Sequence, residues 1–219
     1  MTDTEDRQTQ ALTEQLLRYA EDLQRLMENQ RVLESRFDNL SHLANFDMLT
    51  GLPNRRLFLD RLAPMMNKSR RPDDSFTLIF IDLDGFKGIN DKYGHHVGDR
   101  VLQTTARRLT ALVRESDTVA RLGGDEFVVI ARSLMSDANI DSFCTKAIQA
   151  LSQSFSVEGQ ELSVGCSLGC AEFPRHGEDD ITLLTHADAA MYRAKAAGRN
   201  CLSFFDPKIQ IELERQASL

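Results

Sequence analysis

From Leu12 to Ala44 the chain sets residues at alternating intervals of four and three: Leu12, Leu16, Tyr19, Leu23, Leu26, Gln30, Leu33, Phe37, Leu40 and Ala44. All but Gln30 are apolar, and no Pro or Gly interrupts the row over about five heptads, so it forms one stripe down a single α-helix. A helix of roughly 33 residues spans roughly 50 Å and would overhang a compact domain. The pattern therefore predicts a coiled coil between chains in preference to a solitary amphipathic helix packed on its own domain. Gln30 in the seam would fix register and strand number at some cost in stability, as buried Asn does at such positions.

The stripe stops near Phe46, and Thr50-Gly51-Leu52-Pro53-Asn54 breaks the helix before a new helical stretch opens at Arg55. This divides the chain into an N-terminal helix, residues 1–46, and a cored domain, residues 47–219. At 219 residues and 42% hydrophobic, there is room for one such domain plus an appendage. Phe76 to Leu83 reads as a buried strand, Val101 to Val113 as a helix, and Thr118 to Leu122 and Phe127 to Ala131 as strands joined across Gly123-Gly124. Phe143 to Leu151 reads as a helix, Leu162 to Phe173 as a long strand, Ile181 to Ala197 as a helix ended by Gly198, and Leu202 to Phe205 as a last short strand. This irregular alternation predicts an α/β domain of the α+β kind, a central, mainly antiparallel sheet flanked by helices.

Residues 1–46 hold nine acids and five bases, leaving twenty-four acids and twenty-one bases to residues 47–219. A domain so close to neutral lacks the basic footprint of a nucleic-acid-binding protein, although a local pocket of Lys and Arg can still hold a phosphate ligand. Cys144, Cys166, Cys170 and Cys201 form no C-x-x-C pair and read as reduced, mostly buried thiols. No apolar run approaches the ~20 residues that cross a bilayer. The first thirty residues are polar and acidic, unlike a signal peptide. The expectation is a cytoplasmic protein without a membrane span.

Two constellations carry chemistry. Asp82 and Asp84 end the strand that begins at Phe76; residues two apart on a strand share a side, and paired carboxylates repel unless a cation or donors offset them. Mg²⁺ prefers such hard oxygen ligands, although a solvated acidic turn accounts for the same fragment. The second is Arg121-Leu122-Gly123-Gly124-Asp125-Glu126-Phe127, where two glycines permit a tight turn and close approach of backbone to a phosphate or base, with two acids at its mouth. If the two strands were neighbours, the two groups would form one carboxylate cluster.

Gly123 to Phe127 spells GGDEF, and residues 47–219 resemble the GGDEF-domain diguanylate cyclases almost throughout. The matching landmarks are Asp47 to Arg55 (DMLTGLPNR), Asp82 to Lys87 (DLDGFK), Ile89-Asn90-Asp91, Gly94 to Asp99 (GHHVGD), the hairpin, Ala187 to Lys195 (ADAAMYRAK) and Gly198-Arg199-Asn200. A chance pentapeptide would mean little; the ordered series is highly specific.

The resemblance implies a palm-type nucleotide cyclase domain that joins two GTP molecules into cyclic di-GMP. It implies Mg²⁺, with Mn²⁺ as an alternative, held by Asp82, the carbonyl of Leu83, Asp125 and Glu126. Asp125 is the usual candidate for deprotonating the 3′-hydroxyl and Glu126 a second one. Asn90 and Asp99 would read guanine, with Asp91 an alternative; His95 would lie near the nucleotide, as would the backbone of Gly123 and Gly124. Lys87, Lys195 and Arg199 would meet the phosphates, although Lys195 and Arg199 also suit a helix C-terminus. Arg114 and Asp117 match the RxxD pattern of the family's product-inhibitory site. Because each domain would bind one GTP, the expectation is a homodimer brought together by the N-terminal coiled coil. The competing reading is a non-catalytic module that binds GTP or cyclic di-GMP.

Overall fold

The computed structural model describes residues 2–68, 75–132, 136–157 and 159–209. The chain divides into two compact units, Met1–Ala44 and Asn45–Leu219. The first is α1, Thr2–Asn45. Along its stripe Tyr19, Leu23, Leu26, Leu33, Phe37 and Leu40 are exposed, Phe37 by 70%. Leu12 and Leu16 fall outside the described side chains. Gln30 donates to Glu34 Oε1 one turn on, at 2.9 Å.

The second unit is a five-stranded sheet with helices on both faces. Its strands are β1 (Phe76–Asp84), β2 (Thr118–Gly123), β3 (Glu126–Ala131), β6 (Gly165–Phe173) and β7 (Leu202–Phe204), ordered β2-β3-β1-β6-β7. All neighbours are antiparallel except β6 and β7. β4 (Phe155–Val157) and β5 (Gln160–Leu162) form a separate hairpin.

Strand alternation sorts the core. Ile79, Ile81 and Leu83 of β1 join Phe127 and Val129 of β3 against α4 (His95–Leu112) and α5 (Asp137–Leu151). Phe76, Leu78 and Phe80 join Val128 and Ile130 against α2 (Arg55–Lys68) and α6 (Asp180–Ala196). Cys144, Cys166 and Cys170 are buried thiols of the first cluster; burial pushes Cys166 up to about 12, so it is protonated and inert at neutral pH.

The sequence reading misses α3 (Phe86–Tyr93), whose eight residues carry no long apolar period and are set off by Gly85 and Gly94. α4 and α5 each begin six residues earlier than their apolar positions suggest, because their first turns carry a single large apolar residue apiece, Val97 and Ile140, too few to show a period. The long strand from Leu162 is two elements: Leu162 closes the β4–β5 hairpin, and β6 starts at Gly165.

Candidate active site

Alternation along β1 that puts Leu78 and Phe80 beneath α6 carries Asp82 to the same face. There Asp82 pairs in register with Glu126, on the face shared with Val128 and Ile130. Directly opposed residues bring their Cβ atoms to about 5 Å. The turn is tighter than the Gly-Gly reading suggests: β2 runs through Gly123, which pairs with Glu126, leaving Gly124 and Asp125 as the loop. Gly124 has φ 52°, a conformation that a side chain disfavours. The Leu83 N–H donates to the Asp125 carbonyl at 3.4 Å, tying the turn to β1.

α6 supplies the cation. A Cβ on Gly169 of β6 would collide with the α6 backbone at Ala187 and Met191, so the helix lies directly on the strand. Lys195 Nζ then reaches Asp82 Oδ1 at 2.7 Å. Asp188, two helical turns earlier on the same face, comes near both Lys195 and Glu126. Asp188 has no role in the sequence reading; its seven-residue spacing from Lys195 was the available signal.

The resulting charges are crowded. Burial pushes the Asp82 carboxyl above its ordinary range; the Lys195 bond opposes this, while Asp125 and Asp84 add to it. Burial also raises Glu126, reinforced by Asp188, Asp82 and Asp125 and opposed by Lys195. Asp188 is raised by burial against the pull of Lys195. One lysine thus serves three acids, Asp82, Glu126 and Asp188, a set that favours added positive charge.

Asp84 does something else. Its Oδ1 accepts from Ser167 Oγ at 2.7 Å and its Oδ2 from the Asn200 N–H at 2.9 Å. Arg199 and Asn200 follow α6 with φ 62° and 48°. A left-handed turn costs a non-glycine residue roughly 1–2 kcal/mol, and the bond from Asn200 to Asp84 helps hold it. Arg199 is exposed within this turn.

On α3, Lys87, Asn90 and Asp91 fall within about one turn, and His95 and Asp99 follow in the first two turns of α4. Lys87, Asp91, His95 and Asp99 are exposed, whereas Asn90 is half-buried with its Oδ1 fully buried and without a hydrogen-bond partner. An orphaned acceptor of this kind is unusual in a folded protein and marks a site under another constraint.

The hairpin is anchored from behind. Arg121 Nη1 meets both oxygens of Asp47 at 3.0 Å, while its Nε and Nη2 donate to the Gly124 carbonyl at 3.0 and 2.7 Å. Asp47 also accepts from the Thr50 N–H at 2.9 Å and hydroxyl at 2.6 Å. Burial pushes Asp47 up, but the bonds from Thr50 and Arg121 outweigh it and hold the carboxyl below its ordinary range. The sequence reading uses Asp47 and Arg121 only as landmarks; their separation of 74 residues hides the pairing.

The family profile described as "Diguanylate cyclase, GGDEF domain" matches residues 44–201. The chain belongs to the GGDEF diguanylate cyclase family. It is 42% identical over 180 residues to the bifunctional diguanylate cyclase/cyclic di-GMP phosphodiesterase MucR of Pseudomonas aeruginosa, covering 82% of this chain and 26% of MucR. It is 35% identical over 215 residues to the diguanylate cyclase TpbB of the same species, covering 94% of this chain and 49% of TpbB. The chain therefore spans half or less of the length of these two relatives. The solved coiled coil and GGDEF domain of DgcB from Caulobacter crescentus, in complex with c-di-GMP, matches with a TM-score of 0.74 and 26% identity, covering 83% of this chain and 96% of that one.

This GGDEF domain offers hard oxygen donors at Asp82, Asp125 and Glu126, the type that suits Mg²⁺ or Mn²⁺. Among the described residues, no three His, Cys, Asp or Glu side chains converge to hold a metal by themselves. The donor set fits an ion that completes its shell with water and substrate phosphate, the usual habit of Mg²⁺. Arg114 and Asp117 lie past the far end of α4, whose 18 residues span about 27 Å. They border a concavity of about 270 Å³ shared with Asn139, Phe143 and Lys146. The Asp117 carboxylate accepts from the backbone N–H groups of Arg114 and Arg132, both at 3.1 Å. Among the described residues no helix is long and apolar enough to cross a membrane.

Proposed function

We propose that this chain is an active diguanylate cyclase unit that condenses two GTP into cyclic di-GMP with release of two pyrophosphates. The observation that carries the reading is the pairing of Asp82 with Glu126 beside Asp125 and beneath Lys195, since so crowded an acidic site favours a metal–triphosphate. Asp82, the Leu83 carbonyl, Asp125 and Glu126 hold the divalent ion, which supplies charge neutralisation at the phosphates. Asp125 or Glu126 takes the proton of the 3′-hydroxyl as its oxygen attacks the α-phosphorus and pyrophosphate leaves; burial, then the Asp188, Asp82 and Asp125 charges, push Glu126 up, so the two acids sit within each other's field. Lys87, Lys195 and Arg199 meet the phosphates, His95 and the Gly123–Gly124 backbone lie beside the nucleotide, and Asn90 and Asp99 bind guanine, with Asp91 a nearby alternative for a polar contact.

Each domain takes one GTP, so two must meet, and the exposed stripe of α1 supplies the means as a coiled coil. The DgcB match, which includes a coiled coil and bound c-di-GMP, supports this reading and product binding. Arg114 and Asp117 form the feedback site; Arg114→Ala relieves inhibition by added cyclic di-GMP while turnover persists, and equal inhibition of variant and parent removes that assignment. Incubation with GTP and Mg²⁺ followed by nucleotide chromatography tests the activity. Cyclic di-GMP and pyrophosphate in a 1:2 ratio are expected; binding of GTP without turnover favours the non-catalytic module. Replacing Leu26 and Leu33 with Glu puts unpaired charge into the seam. The variant is expected to be monomeric by light scattering, with specific activity that falls on dilution. Dimerisation or dilution-independent activity of that variant rules out α1 as the organiser of catalysis.

A further inference from the structure

Gly98 lies in the first turn of α4, is buried, and has ordinary backbone dihedrals rather than a positive φ. Nothing in the backbone therefore calls for glycine, and alanine is the better helix former. The reason lies in Asn90 of α3: a Cβ built on Gly98 would collide with Asn90 Oδ1 and stand 3.0 Å from its Cγ and 3.1 Å from Phe86 Cζ. The amide oxygen therefore rests against the Gly98 Cα, where a weak C–H···O contact is its available favourable interaction. This is the same Oδ1 that is buried without a hydrogen-bond partner. The Asn90 carbonyl accepts from the Gly94 N–H at 2.9 Å, fixing the backbone from which the side chain extends.

We propose that Gly98 is a positioning residue that holds the Asn90 amide oxygen-inward, so that Asn90 meets the guanine base through its NH₂ as a donor only. The inference rests on the guanine-binding role given to Asn90 above and deepens it. With Oδ1 turned away, Asn90 cannot accept from the 2-amino group; its partner is a ring or carbonyl acceptor, which guanine and hypoxanthine share. The 2-amino group is left to the carboxylate of Asp99. A methyl at position 98 displaces the amide and removes the Asn90 contact without touching Asp99.

The test is a binding titration with the α,β-methylene analogues of GTP and ITP, whose P–C–P linkage bars the reaction, using the full chain with Mg²⁺. Gly98→Ala is expected to weaken both analogues by the same factor, about tenfold or more, leaving the GTP-to-ITP ratio as in the parent, with a melting temperature equal to or above the parent's. Asp99→Asn is expected to collapse that ratio. In an Asn90→Ala background, Gly98→Ala is expected to change neither affinity, which separates loss of amide positioning from a general disturbance of α4. Unaltered binding by Gly98→Ala overturns the inference, as does loss of GTP affinity with ITP affinity retained, because that would put Oδ1 on the 2-amino group. A further loss in the Asn90→Ala background also overturns it. A parent that binds neither analogue overturns the guanine-nucleotide reading itself, and this inference with it.

Discussion

Two aspartates served by the β2–β3 hairpin and its neighbours meet opposite fates. Asp47 accepts two bonds from Thr50 and a two-pronged contact from Arg121, and its carboxyl titrates below the ordinary range. Asp82 has one lysine amid neighbouring carboxylates, and its carboxyl titrates above that range. The first carboxylate is satisfied within the protein and fixes the loop that precedes α2 to the hairpin. The second is satisfied only in part, so its environment favours a ligand that brings positive charge. Within one domain, a completed electrostatic network serves as structure and an incomplete one as a binding site.

The largest expected effect breaks the incomplete network. Asp125→Asn removes a metal ligand and a candidate base at constant volume, and turnover should fall by about 10²–10⁴-fold. Circular dichroism and thermal melting should show an intact fold. A folded variant with turnover near that of the parent would remove Asp125 from catalysis.

Breaking the completed network has a smaller effect and a different signature. Arg121→Ala leaves the Asp47 carboxylate and the Gly124 carbonyl without their guanidinium donor, and the lost charge-assisted bonds should cost about 1–3 kcal/mol in denaturant unfolding. Turnover should fall as well, because Gly124 precedes Asp125 in the turn. An unchanged unfolding midpoint would show that the anchor does not hold the hairpin.

The smallest effect is one of sign. Glu126 is raised in the folded protein, so its ionisation opposes folding as pH climbs from the ordinary glutamate value of 4.5 through the raised one. Glu126→Gln should therefore melt above the parent at pH 7, with the difference shrinking as pH falls below that ordinary value. Asp47 is lowered, so its stabilisation is present above the ordinary aspartate value of 3.8 and is lost as pH falls through the lower folded value. Asp47→Asn should melt below the parent at pH 7, and that deficit should shrink in acid. Melting curves from pH 3 to pH 8 measure both, and differences of the same sign at pH 7 would erase the distinction between the two environments.

Much of the architecture was legible in local order. The unbroken stripe from Leu12 specified a long helix, and the apolar run from Phe76 specified a central strand. The ordered motifs around GGDEF specified the family. Each of these depends on residues close together in sequence, where periodicity and turn chemistry act directly. A helix of eight residues between glycines and strands of three residues leave no such trace, which is why α3 and the β4–β5 hairpin were missed.

The sequence by itself determined which chemical groups are present and on which side of each strand or helix they fall: Asp82 shares a side with Phe80, and Asp188 shares a helix face with Lys195. Only the tertiary structure decided which groups are paired and which are left wanting. It gave Arg121 to Asp47 across 74 residues, turned Asp84 to the Asn200 backbone across 116, and pressed Gly98 against Asn90. Ionisation and hydrogen bonding depend on the distance to whatever the fold brings near and on how much water it excludes, and neither quantity is written in the local order of the chain.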